Sequence, residues 1–551
     1  MSEHKNCKKV LIIQLARFGD IIQTCTAVEK VKAKNPDTLF YFLGRQKFTK
    51  DLRFILQNTF TEIFELPNVE TFVTNDGVEV EQFSSFLEQV NQLEFDEAIN
   101  LTFSQTAGLL TSLIHAKARK GIYRDSKNIQ VFSDPWTCYV HAAVLAGPYN
   151  LLNLVDLFIG IITGSISSTE MEVAAYNPPA KKQVFVHPFA SQGKKFWSPD
   201  RWCEFFFKFL RDVPDAVINI LGASSEEQFS EKILSHPLMR SFSERIISHV
   251  GKTPISQIPE LCKDASLFIG HDSMIGHLIS RLNIPSITLA LGPVRPEETV
   301  PYSAYSLTMY PRTKCFPCAI DQSCSFYQCH YDITVKDLAT LAGSFFNGPA
   351  PFTAEKGWEP ADLLDDSKVN YATSKFSDGW ALTNVKTQSK FSFDEVIRIL
   401  YRMSFLKIIN DIDLVDRFPK IYPNELSRFA DVKIAFQKSL ELLTFGEIYS
   451  NQILVELCSE HPSAAALQPL AQRIDEIEGL MLMLTNSCSS LKPLTHYVTS
   501  SYSSCPGDSI ITQAKITMNA FIEGKLLSQI LVELIAAIIT QNTQPNLEME
   551  K

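Results

Sequence analysis

A chain of 551 residues is longer than one hydrophobic core serves, so two or three domains are expected. Its 45% hydrophobic and 20% charged content is that of a globular protein, and a net charge of -10 argues against a general nucleic-acid binder. No apolar run reaches the length of a membrane span; the nearest, residues 526–539, is interrupted by Gln529 and Glu533. The first nine residues lack the apolar core of a signal peptide, so the cytoplasm is the expected compartment and the twelve cysteines are expected as reduced thiols.

Residues 9–14 (Lys-Val-Leu-Ile-Ile-Gln) form the short apolar run of a parallel strand buried on both faces. A turn, Ala16-Arg-Phe-Gly-Asp20, leads into helical spacing over 21–33, which Asn35-Pro36 ends. Strands over 39–43 and 95–101 and a helix over 145–163 continue the alternation, and Asn177-Pro-Pro-Ala180 reads as a linker. Residues 1–170 are thus expected to be a Rossmann-like, doubly wound α/β domain. A second alternation has strands over 183–187, 216–221, 245–249, 266–269 and 286–291, with helices over 202–210, 225–234 and from Ser273. It defines a second Rossmann-like domain, 180–345, which carries a cysteine cluster at 315–329. Residues 346–392, rich in Pro, Gly, Ser, Asp and Lys, read as a surface linker. Residues 393–551 read as all-α, with helices over 396–412, 426–443, 448–458, 466–484 and 512–539; their apolar faces suit a bundle core or an oligomer surface.

Four stretches carry chemistry. Arg17-Phe-Gly-Asp20 puts a carboxylate between the first strand and helix, where it can cap the helix or act as a general base. His187-Pro-Phe-Ala-Ser-Gln-Gly-Lys-Lys-Phe-Trp197 presents two lysines after a strand, suited to offsetting charge on a leaving diphosphate. Leu221-Gly-Ala-Ser-Ser-Glu-Glu227 follows a strand and ends in an acidic pair, Glu226 and Glu227, that suits a helix start, either of which can present a carboxylate. Gly270-His-Asp-Ser-Met-Ile-Gly-His277 is a strand–turn–helix stretch in which Asp272 or Ser273 can cap the helix.

These motifs, in this order over about residues 8–345, resemble glycosyltransferase family 9, the ADP-heptose:lipopolysaccharide heptosyltransferases. The resemblance implies GT-B architecture and inverting transfer of a heptose, or another sugar, from a nucleotide-diphosphate donor such as ADP-heptose. The acceptor would be a hydroxyl of the lipopolysaccharide core or a related glycan. Asp20 would be the catalytic base, with Arg17 and Gly19 on the acceptor side. Lys195 would meet the diphosphate, with Ser191 and Lys194 as lesser candidates. Glu226 would contact the ribose, and Thr253, in the loop Val250-Gly-Lys-Thr-Pro254, would lie beside the base. Asp272, Ser273, Gly276 and His277 would flank the donor phosphates or sugar. Met274 departs from the family pattern by occupying a position usually held by glycine.

No cofactor is implied for the chemistry. Cys315, Cys318, Cys324 and Cys329, spaced C-x2-C-x5-C-x4-C, suit a structural zinc or iron, with free thiols or disulfides as alternatives. A similar cluster occurs in several family members, and related protein heptosyltransferases hold iron in such a finger. A lipid-linked acceptor implies peripheral contact with the cytoplasmic face of the inner membrane. Three other readings stay open: a protein hydroxyl as acceptor, a nucleotide-sugar epimerase, and an inactive GT-B scaffold.

Overall fold

The computed structural model describes residues 7–67, 77–166, 179, 181–347, 352–353, 357–358, 368–376, 380–384, 391–412, 421, 425–502 and 509–543. The linker expected around 177–180 lies, but for Pro179, outside the described residues.

The first sheet contains β1 (Lys9–Ile13), β2 (Leu39–Arg45), β3 (Glu62–Leu66), β4 (Phe95–Asn100), β5 (Ala116–Arg124) and β6 (Gln130–Phe132). Their order is β3-β2-β1-β4-β5-β6, parallel except for the β5–β6 hairpin. In β1, Val10 and Ile12 enter one core while Leu11 and Ile13 enter another, so the continuous apolar run is buried on both faces, as expected.

The second domain contains β7 (Gln183–His187), β8 (Val217–Ile220), β9 (Ile246–Ser248), β10 (Leu267–His271), β11 (Ser286–Leu289) and β12 (Ser306–Pro311). A two-stranded ribbon, β13 (Phe352–Thr353) with β14 (Gly357–Trp358), comes next, followed by β15 (Val369–Phe376) and β16 (Trp380–Asn384). The sheet order is β16-β15-β12-β11-β10-β7-β8-β9. The stretch expected to be a linker, 346–392, therefore extends this sheet: β15 pairs antiparallel with β12 and β16 with β15. Val369 and Tyr371 supply the reason, since they bury against the second-domain core.

Chain order reverses between β1 and β4 in the first sheet and between β7 and β10 in the second. Ligand crevices of open α/β sheets lie at the carboxyl ends of strands at such reversals. Two facing domains place both crevices on one cleft.

The helical region does not stand apart. Leu400, Phe405 and Leu531 share one continuous core with Ile12 of the first domain and Phe268 of the second. Phe405 meets Tyr139 edge-to-face at 4.9 Å. The expected helices over 426–443 and 448–458 form one helix, Leu426–Leu457. Gly446 lies within it against Phe521, where an added Cβ would come 2.4 Å from the ring, so glycine permits a close crossing with helix Ile510–Thr543. In contrast, the helix expected over 145–163 begins only at Leu154, capped by Asn153.

Arg398, on helix Phe393–Asn410, ties the three parts together. Its guanidinium donates to the Asn150 carbonyl at 3.1 Å and pairs with Glu297 at 3.1 Å. Removing one partner leaves an uncompensated charge in a poorly solvated place. Arg398→Ala is expected to destabilise the chain by about 3–5 kcal/mol, read as a lower urea midpoint. Arg398→Met with Glu297→Leu should recover most of that loss.

Candidate functional site

The cleft is a cavity of about 740 Å³ between the two domains. Arg17, Gly19 and Asp20 line it from the first domain; Ser191, Lys195, Glu226, Thr253, Asp272, Ser273 and His277 line it from the second. The sequence motifs, distant along the chain, converge on one site.

Asp20 sits in the first turn of helix Phe18–Lys34, where Arg17 N–H donates to its carboxylate at 3.2 Å. Capping and cleft exposure therefore coexist. Burial pushes its carboxyl above the usual aspartate range; the Arg17 backbone bond opposes this and the charge of Asp272 adds to it. Across the cleft, the Lys195 ammonium donates to Asp272 at 2.7 Å, with the side chains 18% and 9% exposed.

His277 lies 3.9 Å from the other Asp272 oxygen, and burial lowers its pKa, favouring the neutral ring. The two domains nearly touch here: a Cβ on Gly19 would lie 3.2 Å from the His277 ring. Ser273 occupies the cap position of helix Met274–Ser280, yet its hydroxyl pairs with His187 Nδ1 at 3.1 Å instead of capping. That helix has only seven residues, so its dipole is a small source of positive field beside the ammonium of Lys195. Met274 lines the cleft and also packs against the shared core.

Neighbouring alternatives separate clearly. Glu226 faces the cleft, accepts from Ala223 N–H at 2.7 Å and lies 3.8 Å from His187; Glu227 is not in the lining. Lys195 points into the cleft, whereas the Lys194 ammonium donates to the carbonyls of Ala319, Ile320 and Gln322 at 3.0, 2.6 and 3.0 Å. Lys194 thus anchors the cysteine loop and is not among the residues lining the donor side. Gly276 is also outside the lining, covered by Pro301.

His187, Gln23 and Asp51 line the cleft without having been singled out from the sequence. His187 had a legible signal, its place at the end of β7. Asp51, inside helix Gln46–Thr59, had none.

Of the four clustered cysteines, Cys315 and Cys324 are exposed, Cys318 is half-buried and Cys329 is buried. Burial raises the thiol pKa of Cys318 and Cys329, and the neighbouring thiols of the cluster raise it further. Among the described residues no group of three or more His, Cys, Asp or Glu side chains is arranged to hold a metal ion.

Two doubly wound domains facing across a polar cleft give the chain the GT-B architecture of glycosyltransferases. Residues 83–328 match the family model of glycosyltransferase family 9 (heptosyltransferase). Among solved structures it is similar to the E. coli heptosyltransferase WaaC with ADP, at 16% identity over 54% of this chain and 92% of that one, TM-score 0.42. It is similar to E. coli ADP-heptose lps heptosyltransferase II at 16% identity, over 60% and 96%, TM-score 0.43. The iron-containing dodecameric glycosyltransferase TibC from enterotoxigenic E. coli is similar at 12% identity, over 60% and 74%, TM-score 0.34. No curated protein matches the sequence.

Proposed function

We propose that this glycosyltransferase moves a heptose from ADP-heptose to a hydroxyl of the lipopolysaccharide core, with inversion at the anomeric carbon. The observation that carries the reading is the placement of Asp20 and Lys195 on opposite domains of one cleft. A base and a cation so placed can act on opposite faces of a sugar held between them.

In this reading the donor diphosphate lies at Lys195, and Glu226 accepts from the ribose hydroxyls. Asp272 holds the Lys195 ammonium in place, and the entering diphosphate takes over part of that pairing. Asp20 takes the proton from the acceptor hydroxyl as its oxygen attacks the anomeric carbon; the bond to the diphosphate breaks on the opposite face. Lys195 stabilises the charge growing on the leaving group. Neutral His277 beside Gly19 fills the seam between the domains and limits access of water. Among the described residues no helix is long and apolar enough to cross a membrane.

Calorimetric titration of ADP, UDP and GDP tests the donor class. ADP is expected to bind at least about tenfold more tightly than the other two, a difference of about 1.4 kcal/mol. Preference for UDP or GDP would remove ADP-heptose as the donor, and binding of none would remove the transferase reading of this cleft.

A further inference from the structure

The lysine reaching Asp272 belongs to a short 3-10 turn, Gly193–Lys195, in which both lysines are half-buried. A cation that stabilises a leaving group must be held to within about 0.5 Å, so something has to fix this turn. The backbone on both sides of Lys195 is gripped by histidine. On one side, His330 Nε2 donates to the Lys194 carbonyl at 2.9 Å. On the other, Trp197 N–H donates to His271 Nε2 at 3.2 Å.

The second grip dictates a tautomer. A backbone N–H only donates, so Nε2 of His271 must be unprotonated. Its proton then sits on Nδ1, which faces the Leu289 carbonyl at 3.3 Å. His271 therefore links the lysine loop to the end of β11, and it sits one residue before Asp272, the partner of Lys195. The residue is 1% exposed and its ring meets Trp202 edge-to-face at 5.4 Å, so it has little freedom to turn. Gly292 completes the seat: its φ is +62°, and an added Cβ would lie 2.5 Å from the Lys194 carbonyl that His330 holds.

We infer that His271 and His330 are positioning residues for Lys195, setting its ammonium at the donor diphosphate by clamping the backbone before and after it. This rests on Lys195 meeting the diphosphate. Neither histidine lines the cleft, so neither touches the donor.

The test is a double-mutant cycle on the full chain, read by calorimetric ADP affinity. His271→Phe fills the space without an acceptor and is expected to weaken ADP about tenfold; His271→Gln, which restores an acceptor oxygen, should stay within about threefold of wild type. In a Lys195→Ala background, His271→Phe should cause no further loss. Should His271→Phe fail to fold, His330→Leu against His330→Gln poses the same question, since glutamine keeps a donor for the Lys194 carbonyl. Equal losses with and without Lys195, or glutamine variants as weak as the apolar ones, would overturn the clamp. A Lys195→Ala protein that binds ADP like wild type would instead overturn the role given to Lys195 itself.

Discussion

Asp20→Asn is expected to lower kcat by about 10²–10⁴-fold while leaving ADP affinity within about twofold. Asparagine keeps a side-chain oxygen for the Arg17 N–H bond and the shape of the first helical turn, so the fold should survive. What disappears is a group able to take a proton. The wild-type pH profile carries a second signature. As the proposed base Asp20 must be ionised, and its pKa is raised, first by burial and further by Asp272. Activity should therefore rise with pH through a midpoint above the ordinary aspartate value and fall below it. Asp272→Asn removes the repulsive neighbour and should shift that midpoint downward. A profile flat through the acid range, or an Asp20→Asn protein with wild-type kcat, would assign the base elsewhere.

The second large effect belongs to Lys195. Lys195→Met is expected to cost about 10²–10³-fold in kcat/KM, the scale of losing one preorganised electrostatic contact to a leaving group. It should also cost stability, because the Asp272 side chain, 9% exposed, is left without its 2.7 Å partner. Breaking a buried pair from one side costs up to about 3–5 kcal/mol, and the 18% exposure of Lys195 places this case below that ceiling. Adding Asp272→Leu should restore the thermal midpoint but not the activity. That separation distinguishes a lysine needed for chemistry from one needed only for folding. Recovery of both together would make Lys195 structural.

Much of the fold was legible because parallel strands buried on two faces announce themselves as short apolar runs. Residues 9–14 and 183–187 are examples, and both lead directly to cleft residues. The β15–β16 hairpin was not legible. Asn370, Ser374 and Lys375 interrupt its apolar pattern, and it lies in a stretch rich in Pro, Gly and Ser. Its strand character comes from pairing with β12, a tertiary fact. The helical region was legible as helices but not as a brace: nothing in the sequence of Phe393–Asn410 announces that Arg398 reaches both Asn150 and Glu297.

At the site, residue types were legible and directions were not. Lys194 and Lys195 are equivalent in sequence; the turn sends one to the carbonyls of the cysteine loop and the other to Asp272. Glu226 and Glu227 part in the same way at the start of helix Glu227–Leu234. His271 was hidden for a different reason. A histidine inside an apolar strand reads as core, and only the Trp197 N–H pointing at its ring reveals a role.

The central claim is most directly tested by following the anomeric carbon of ADP-heptose by NMR in the presence of heptose-deficient lipopolysaccharide. The roles proposed for Asp20 and Lys195 on opposite domains predict acceptor-dependent transfer with inverted configuration, lost in Asp20→Asn. Retention of configuration, or donor consumption that proceeds equally without acceptor, would contradict it.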